Sequence, residues 1–224
     1  MSTRLAFLGP KGTYTEQAAL YYDPEASLLP CVSVIDVLNA IENTEVDQGV
    51  VAIENSIEGS VTQTLDLLIH DSCLFIRHEL VVPIQHCLLG QPGTLPGNIE
   101  VIYSHPHALA QCRTFLEKHY PKASLMASLS TTSAVQETGK AGSIAAAIAN
   151  EGAAALYGAE ILERRIEDNP NNETRFAVLA TSDHSPTGED KTSLCFDFEG
   201  DSPGILYEAL LPTTAQFCWH MLIL

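Results

Sequence analysis

The stretch GVVAIENSIEGSVTQTLDLLIH, residues 49–70, joins an apolar run, a polar turn and an amphipathic segment. Residues 49–53 carry no polar side chain and are rich in β-branched residues, which predicts a strand buried on both faces. Val61, Leu65 and Leu68 follow at helical spacing, with Ser60 as the expected N-cap. The stretch therefore predicts a β-α unit whose polar turn lies at the carboxyl end of a buried strand.

This polar turn carries two carboxylates, an amide and a hydroxyl, on Glu54, Asn55, Ser56 and Glu58. In open α/β sheets, ligands bind at the carboxyl ends of the strands. Polar residues and glycine are also ordinary components of strand-to-helix turns. The turn is therefore a candidate binding site, with a purely structural turn as the alternative.

Strand-like and helix-like segments alternate on both sides of this unit. Strands are predicted at 4–8, 28–32, 99–103, 123–129, 144–149 and 177–180, and helices starting at Thr15, Ser33, Ser104, Ser130 and Asn150. Such alternation favours parallel β-α units and an α/β fold. The extended run from Cys73 to Gly90, interrupted by Pro83, predicts a passage from one sheet to another. We expect two lobes of similar construction with a cleft between them.

The composition excludes several classes of partner. The chain has 224 residues, 46% of them hydrophobic, and a formal net charge of −17. Because phosphate binding needs basic patches, we expect no nucleic-acid partner and no attachment to an anionic membrane. No apolar run is long enough for a signal peptide or a membrane span. Six scattered cysteines then predict reduced thiols in a cytoplasmic protein.

The N-terminal turn is a candidate anion site, and two histidines are a candidate metal site. The turn at residues 9–14 lacks the spacing of a phosphate loop, but the helix after it could hold a carboxylate with the Thr13 hydroxyl. A plain βα turn capped by Thr15 is the alternative. His105 and His107 lack the spacing of a helical metal pair, so we expect no metal site. Cys112 is expected to be a buried core thiol.

Five motifs resemble one family in their order and spacing. They are GPKGTYTEQAAL at 9–20, AIENSIEGSV at 52–61, SHPHALAQC at 104–112, STTSA at 130–134 and NNETRFAVL at 171–179. They resemble the prephenate dehydratases over roughly residues 4–182. The resemblance implies a catalytic domain at 1–182 with a fold like the type 2 periplasmic binding proteins. Its lobes would lie near 1–78 plus 162–182 and near 79–161. It also implies conversion of prephenate to phenylpyruvate, water and carbon dioxide in the cytoplasm, without a cofactor.

The resemblance also assigns roles to single residues. Thr174 is expected to donate a hydrogen bond to the leaving hydroxyl, while Asn55 and Gln111 orient the substrate. Glu54 is either a protonated acid or a structural carboxylate. Arg175 and the helix N-termini at Thr13 and Ser130 are candidate carboxylate clamps. The expected catalytic residues are Thr174, Glu54, Asn55 and Gln111, and the expected substrate-binding residues are Thr13, Ser56, Ser104, Thr132, Arg175 and Phe176. Ser104 and Thr132 could equally be helix caps.

Residues 191–224 resemble the beginning of a different domain. KTSLCFDF and DSPGILYEAL are similar to the start of an ACT regulatory domain, an α+β unit of ferredoxin-like type. An L-phenylalanine effector would then involve Gly204, Ile205 and Leu206. The family's Glu-Ser-Arg-Pro motif is absent, so we expect an incomplete, poorly ordered segment and little response to phenylalanine. The family also suggests a homo-oligomer.

Three rival functions remain at this point. Arogenate dehydratase differs only by an amine in place of the side-chain keto group of the substrate. A two-lobed ligand-binding protein without chemistry would use the same fold. The third is an amino-acid sensor built on the ACT-like segment.

Overall fold

The computed structural model describes residues 2–140, 142, 144–195, 198, 200 and 202–210. Contacts within the chain divide it into two units, Met1–Asp183 and His184–Leu224. Much of the predicted ACT-like segment, including residues 211–224, lies outside the described residues. The described part of the second unit contains one helix, Ile205–Leu210, directly after Gly204, whose φ is +92°.

The first unit contains all the described strands. They are β1 (Arg4–Leu8), β2 (Ser27–Cys31), β3 (Gln48–Asn55), β4 (Gly59–Ser60), β5 (Phe75–Pro83), β6 (Cys87–Gly90), β7 (Val101–Ser104), β8 (Ser124–Ala127), β9 (Ala145–Ala149), β10 (Glu160–Arg164) and β11 (Glu173–Ala180). Its α-helices are α1 (Tyr14–Tyr22), α2 (Val34–Glu42), α3 (Thr62–His70), α4 (Pro106–Gln111), α5 (Arg113–His119), α6 (Thr131–Thr138) and α7 (Glu151–Tyr157), and the helix of the second unit is α8.

The strands form two sheets of matching design. The first has the order β2-β1-β3-β11-β5, with β4 beside β3, and the second has the order β8-β7-β9-β6-β10. In each sheet the first three strands named are parallel, and the last two run antiparallel to their neighbours. The predicted parallel β-α units are therefore confirmed as the core of each sheet. The antiparallel strand β10 was absent from the prediction.

The chain crosses between the sheets twice. Strand β5 belongs to the first sheet as far as Pro83, and β6 begins the second sheet at Cys87. The return runs from the end of β10 at Arg164 to the start of β11 at Glu173. The crossings therefore lie at residues 84–86 and 165–172. The lobe boundaries implied by the family resemblance lie earlier in the chain, near residues 78 and 162.

The helix starts depend on local capping chemistry. Ser33, Ser130 and Asn150 are confirmed as N-caps, each accepting a hydrogen bond from a backbone N–H of the first turn. Three predicted starts were wrong. Thr13 replaces Thr15 as the cap of α1, Ser60 lies in β4 instead of capping α3, and His105 rather than Ser104 precedes α4. Thr13 and His105 take the extended backbone conformation of a cap, whereas Ser60 itself pairs with Glu54 in β4, so that Val61 precedes α3 without a side-chain cap.

Close packing of α2 against β3 leaves no room for a side chain at Gly49. A Cβ atom there would lie 2.7 Å from both Val37 Cγ1 and Ile41 Cδ1. Gly49→Ala is therefore expected to lower the free energy of unfolding by about 1–3 kcal/mol through overpacking. Chemical denaturation measures this loss, with Gly97→Ala as the control because a Cβ atom at Gly97 meets nothing within 4 Å. Equal stabilities of the two variants would contradict the packing argument.

Candidate active site

The turn after β3 meets the first residues of β11. Asn55 ends β3, and the antiparallel register places it opposite Thr174. The Asn55 Nδ2 atom lies 2.8 Å from the Thr174 Oγ1 atom. Sheet pairing thus brings together two side chains that are 119 positions apart in the sequence.

Two backbone N–H groups determine the direction of the Asn55 amide. Those of Ile57 and Glu58 both donate to Asn55 Oδ1 at 3.0 Å. The Asn55 amide nitrogen must therefore face Thr174 Oγ1 and Asn172 Oδ1, each 2.8 Å away. Because the Thr174 oxygen accepts from Asn55, its own hydrogen is available for another acceptor, and none among the described residues takes it. Thr174 is thus a hydrogen-bond donor whose oxygen is held by an amide.

Gln111, at the end of α4, reaches the same place from the other sheet. Asn172 Nδ2 donates to Gln111 Oε1 at 3.1 Å, and Gln111 Nε2 donates to Glu58 Oε1 at 3.2 Å. Through Asn172, the Gln111 side chain is connected to the Asn55–Thr174 pair. The structure therefore brings together three of the four expected catalytic residues.

Glu54 and Arg175 belong to a different cluster. Adjacent side chains of a strand point to opposite faces of the sheet, so both lie across the sheet from Thr174. Arg175 Nη1 lies 2.6 Å from Glu54 Oε2, and Arg175 Nη2 lies 2.7 Å from Glu79 Oε2. The structure thus places both residues in an ion-pair cluster, and not beside the Thr174 hydroxyl.

Phe176 shares the face of Thr174 but lies in the core. It is 1% exposed and packs in a cluster that includes Leu5, Phe7 and Val178. Its aromatic ring therefore supports the sheet that carries the site.

The two expected helix-terminus clamps are occupied by groups of the protein itself. Thr13 Oγ1 accepts from the backbone N–H of Glu16, and the Glu16 carboxylate accepts from the backbone N–H of Gly12. At the other helix, Ser130 and Ser133 satisfy each other's backbone N–H groups in a capping box. At each helix N-terminus, side-chain oxygens of the protein already accept hydrogen bonds from backbone N–H groups that a substrate carboxylate would need.

The remaining expected binding hydroxyls are dispersed. Ser104 is fully buried and donates to the carbonyl oxygen of Ile148 at 2.7 Å. Ser56 accepts from the backbone N–H of Glu173 at 3.0 Å, which ties the end of β3 to the start of β11. The Thr132 hydroxyl is buried without a hydrogen-bond partner. None of the three is joined to Thr174 by a hydrogen bond in the described residues.

Three residues of this region had no predicted role: Asn172, His86 and Tyr14. His86 Nε2 lies 2.9 Å from Gln111 Oε1, and the Tyr14 hydroxyl lies 3.0 Å from His86 Nδ1. Burial lowers the pKa of His86 and raises the pKa of Tyr14 well above its usual value, so both favour their neutral forms. Asn172 precedes Thr174 by two positions, a spacing that places both on one face of a strand and was an available signal. His86 gave no comparable signal.

The histidine pair and the thiol do not extend the site. The rings of His105 and His107 are 4.9 Å apart in an edge-to-face arrangement. Cys112 is fully buried, and burial raises the pKa of its thiol. In the described part of the chain, no group of three or more His, Cys, Asp and Glu residues is placed to hold a metal ion. The described helices include none with the length and apolar character needed to cross a membrane.

Comparison with known sequences identifies the family to which the chain belongs. A family model described as prephenate dehydratase matches residues 5–184. A bifunctional chorismate mutase/prephenate dehydratase of Aquifex aeolicus is 44% identical over 211 residues, covering 92% of this chain. The chain spans 56% of the length of that relative.

Comparison with solved structures gives two close folds. Prephenate dehydratase from Arthrobacter aurescens, solved in complex with L-Phe, has a TM-score of 0.80 and 34% identity, over 92% of this chain and 70% of that one. A protein named GqqA and described as a quorum quenching acylase has a TM-score of 0.76 and 29% identity, over 94% of this chain and 77% of that one. Since the second carries a different activity in its name, the fold alone does not determine the reaction.

Proposed function

Because the chain belongs to the prephenate dehydratase family, we propose that it converts prephenate to phenylpyruvate, water and carbon dioxide in phenylalanine biosynthesis. One observation carries the proposal. The threonine of the motif Asn-Glu-Thr-Arg-Phe, Thr174, presents a hydroxyl whose oxygen accepts from the Asn55 amide and whose hydrogen is free for another acceptor.

The reaction needs little covalent help from a protein. The bond between the ring carbon and its carboxylate breaks, and its electron pair enters the ring as carbon dioxide departs. The carbon–oxygen bond on the opposite side of the ring breaks, and the hydroxyl leaves with a proton as water. Because the product ring is aromatic, the reaction is strongly downhill. The protein must mainly align the substrate and assist the leaving hydroxyl.

Thr174 is the proposed donor to that leaving group. A threonine hydroxyl is a weak acid, so its contribution is a hydrogen bond that strengthens as the carbon–oxygen bond breaks. The Asn55 N–H bonded to Thr174 Oγ1 makes the hydroxyl a better donor, since hydrogen bonds in a chain polarise one another. We assign Asn55 and Gln111 to holding this geometry, and Glu54 and Arg175 to supporting the sheet from its other face.

One assay tests the function. Purified protein is incubated separately with prephenate and with arogenate, and phenylpyruvate and phenylalanine are measured. Formation of phenylpyruvate from prephenate is the expected result. Turnover of arogenate alone would reassign the substrate, and no turnover of either, with prephenate still bound at equilibrium, would favour a ligand-binding protein.

We further propose that the two sheets are the lobes of a fold like the type 2 periplasmic binding proteins, and that residues 191–210 begin an ACT-like segment. The matching order of the two sheets and the double crossing support the first part. A cytoplasmic location and a homo-oligomer are proposed from the family alone.

Phenylalanine control is a separate proposal. Gly204, Ile205 and Leu206 are the residues proposed for an L-phenylalanine effector, the ligand with which the Arthrobacter aurescens prephenate dehydratase was solved, and adding L-phenylalanine to the assay is expected to lower the rate. The rate measured over a range of L-phenylalanine concentrations checks this. An unchanged rate would contradict an effector site at Gly204 and its helix.

A further inference from the structure

The hydrogen bonds of the site run in one direction. The backbone N–H groups of Ile57 and Glu58 fix the Asn55 amide, so Asn55 Nδ2 donates to Asn172 Oδ1. Asn172 must then donate from its own nitrogen to Gln111 Oε1. Reversing any one amide would bring two donors or two acceptors face to face.

This order determines the proton position on His86. Since Gln111 Oε1 is an acceptor, His86 Nε2 at 2.9 Å must carry a hydrogen and donate it. The other ring nitrogen, Nδ1, then faces the Tyr14 hydroxyl at 3.0 Å. The same hydroxyl lies 2.6 Å from the carbonyl oxygen of Gln85, so its single hydrogen has two acceptors within reach.

The His86 ring is held in place from several sides. His86 is 2% exposed. Its backbone N–H donates to Glu167 Oε2 at 2.9 Å, and its carbonyl oxygen accepts from the backbone N–H of Ile166 at 3.0 Å. The returning crossing therefore holds the His86 backbone at two points, and the His86 imidazole makes no hydrogen bond to Asn55 or Thr174 in the described residues.

We propose that His86 is a positioning residue, which locks the Gln111 amide through its Nε2–H and so maintains the chain from Gln111 through Asn172 and Asn55 to Thr174. This inference rests on the proposed dehydratase function and adds a residue to it. Without the Nε2–H donor, Gln111 Oε1 keeps only the Asn172 bond, and the amide is held less firmly, by that bond and the bond from its Nε2 to Glu58. The loss would affect the rate of the chemical step more than substrate binding.

Two substitutions separate positioning from bulk packing. A glutamine amide nitrogen takes the place of histidine Nε2, whereas an asparagine amide nitrogen takes the place of Nδ1. His86→Asn is expected to lower kcat about tenfold, the cost of one hydrogen bond, with a smaller change in KM. His86→Gln is expected to retain a kcat about fivefold higher than His86→Asn. The exposed His70, as His70→Asn, is the matched control for a histidine-to-asparagine change.

A double-mutant cycle then tests the route of the effect. In a Gln111→Ala background, His86→Asn is expected to change kcat by less than about twofold, because its partner has already been removed. Independent effects of the two changes, or equal kcat values for His86→Gln and His86→Asn at equal thermal stability, would overturn the proposal. An inactive wild-type protein would instead contradict the proposed function, so the two failures are distinguishable.

Discussion

Thr174→Ala is expected to lower kcat for prephenate by about 100- to 10,000-fold, the range for loss of a positioned proton or hydrogen-bond donor. The donor hydrogen of Thr174 has no other acceptor in the described residues, and Asn55 holds its oxygen at 2.8 Å. Because the hydroxyl acts on the leaving group, KM should change much less than kcat. Steady-state kinetics on purified protein measures both constants.

Thr174→Ser is the control for that experiment. It keeps the hydroxyl and removes only a methyl group, so it is expected to retain at least about a tenth of the wild-type kcat. Unfolding curves of both variants show whether the fold is intact. A Thr174→Ala protein that turns over prephenate at the wild-type rate would remove Thr174 from the mechanism.

Phe176→Ala is expected to lower the free energy of unfolding by about 3–5 kcal/mol, the cost of emptying a buried aromatic site. The ring is 1% exposed and packs against both β1 and β5 residues in the core of the first sheet. Urea denaturation followed by circular dichroism measures the loss. Phe75→Ala is the control, since Phe75 lies on β5 in the same sheet and is 48% exposed.

The two possible roles of Phe176 give different results. A core residue loses stability when truncated, whereas a substrate contact would raise KM and leave the unfolding curve almost unchanged. The second outcome would restore the expected substrate-binding role of Phe176 in place of the packing role.

Much of the first sheet could be predicted because its signals are local. The apolar run ending at Ile53 and the cap at Ser33 depend on neighbouring residues, and both are found as expected. The Asn55–Thr174 pairing depends on the register of β11 against β3, which residue patterns alone do not determine. The family resemblance assigned both residues to one site in advance, but not their contact.

The supporting residues of the site were harder to predict. Arg175 follows Thr174 directly in sequence, yet strand alternation turns it toward Glu54 and Glu79. His86 and Tyr14 are 72 positions apart and meet only because the chain crosses between sheets beside them. Such contacts depend on tertiary packing, so sequence patterns give no sign of them.

The two crossings limit how this scaffold can be recombined. Residue 86 stands in the outgoing connection and residue 172 in the returning one, so the segments that join the halves also supply part of the reaction centre. A chimaera that exchanges residues 79–161 with a homologue would take residue 86 from one parent and residue 172 from the other. Cuts after residue 86 and before residue 165 would keep both connections in one parent, but Gln111 would still come from the other, so activity would depend on the compatibility of the two parents.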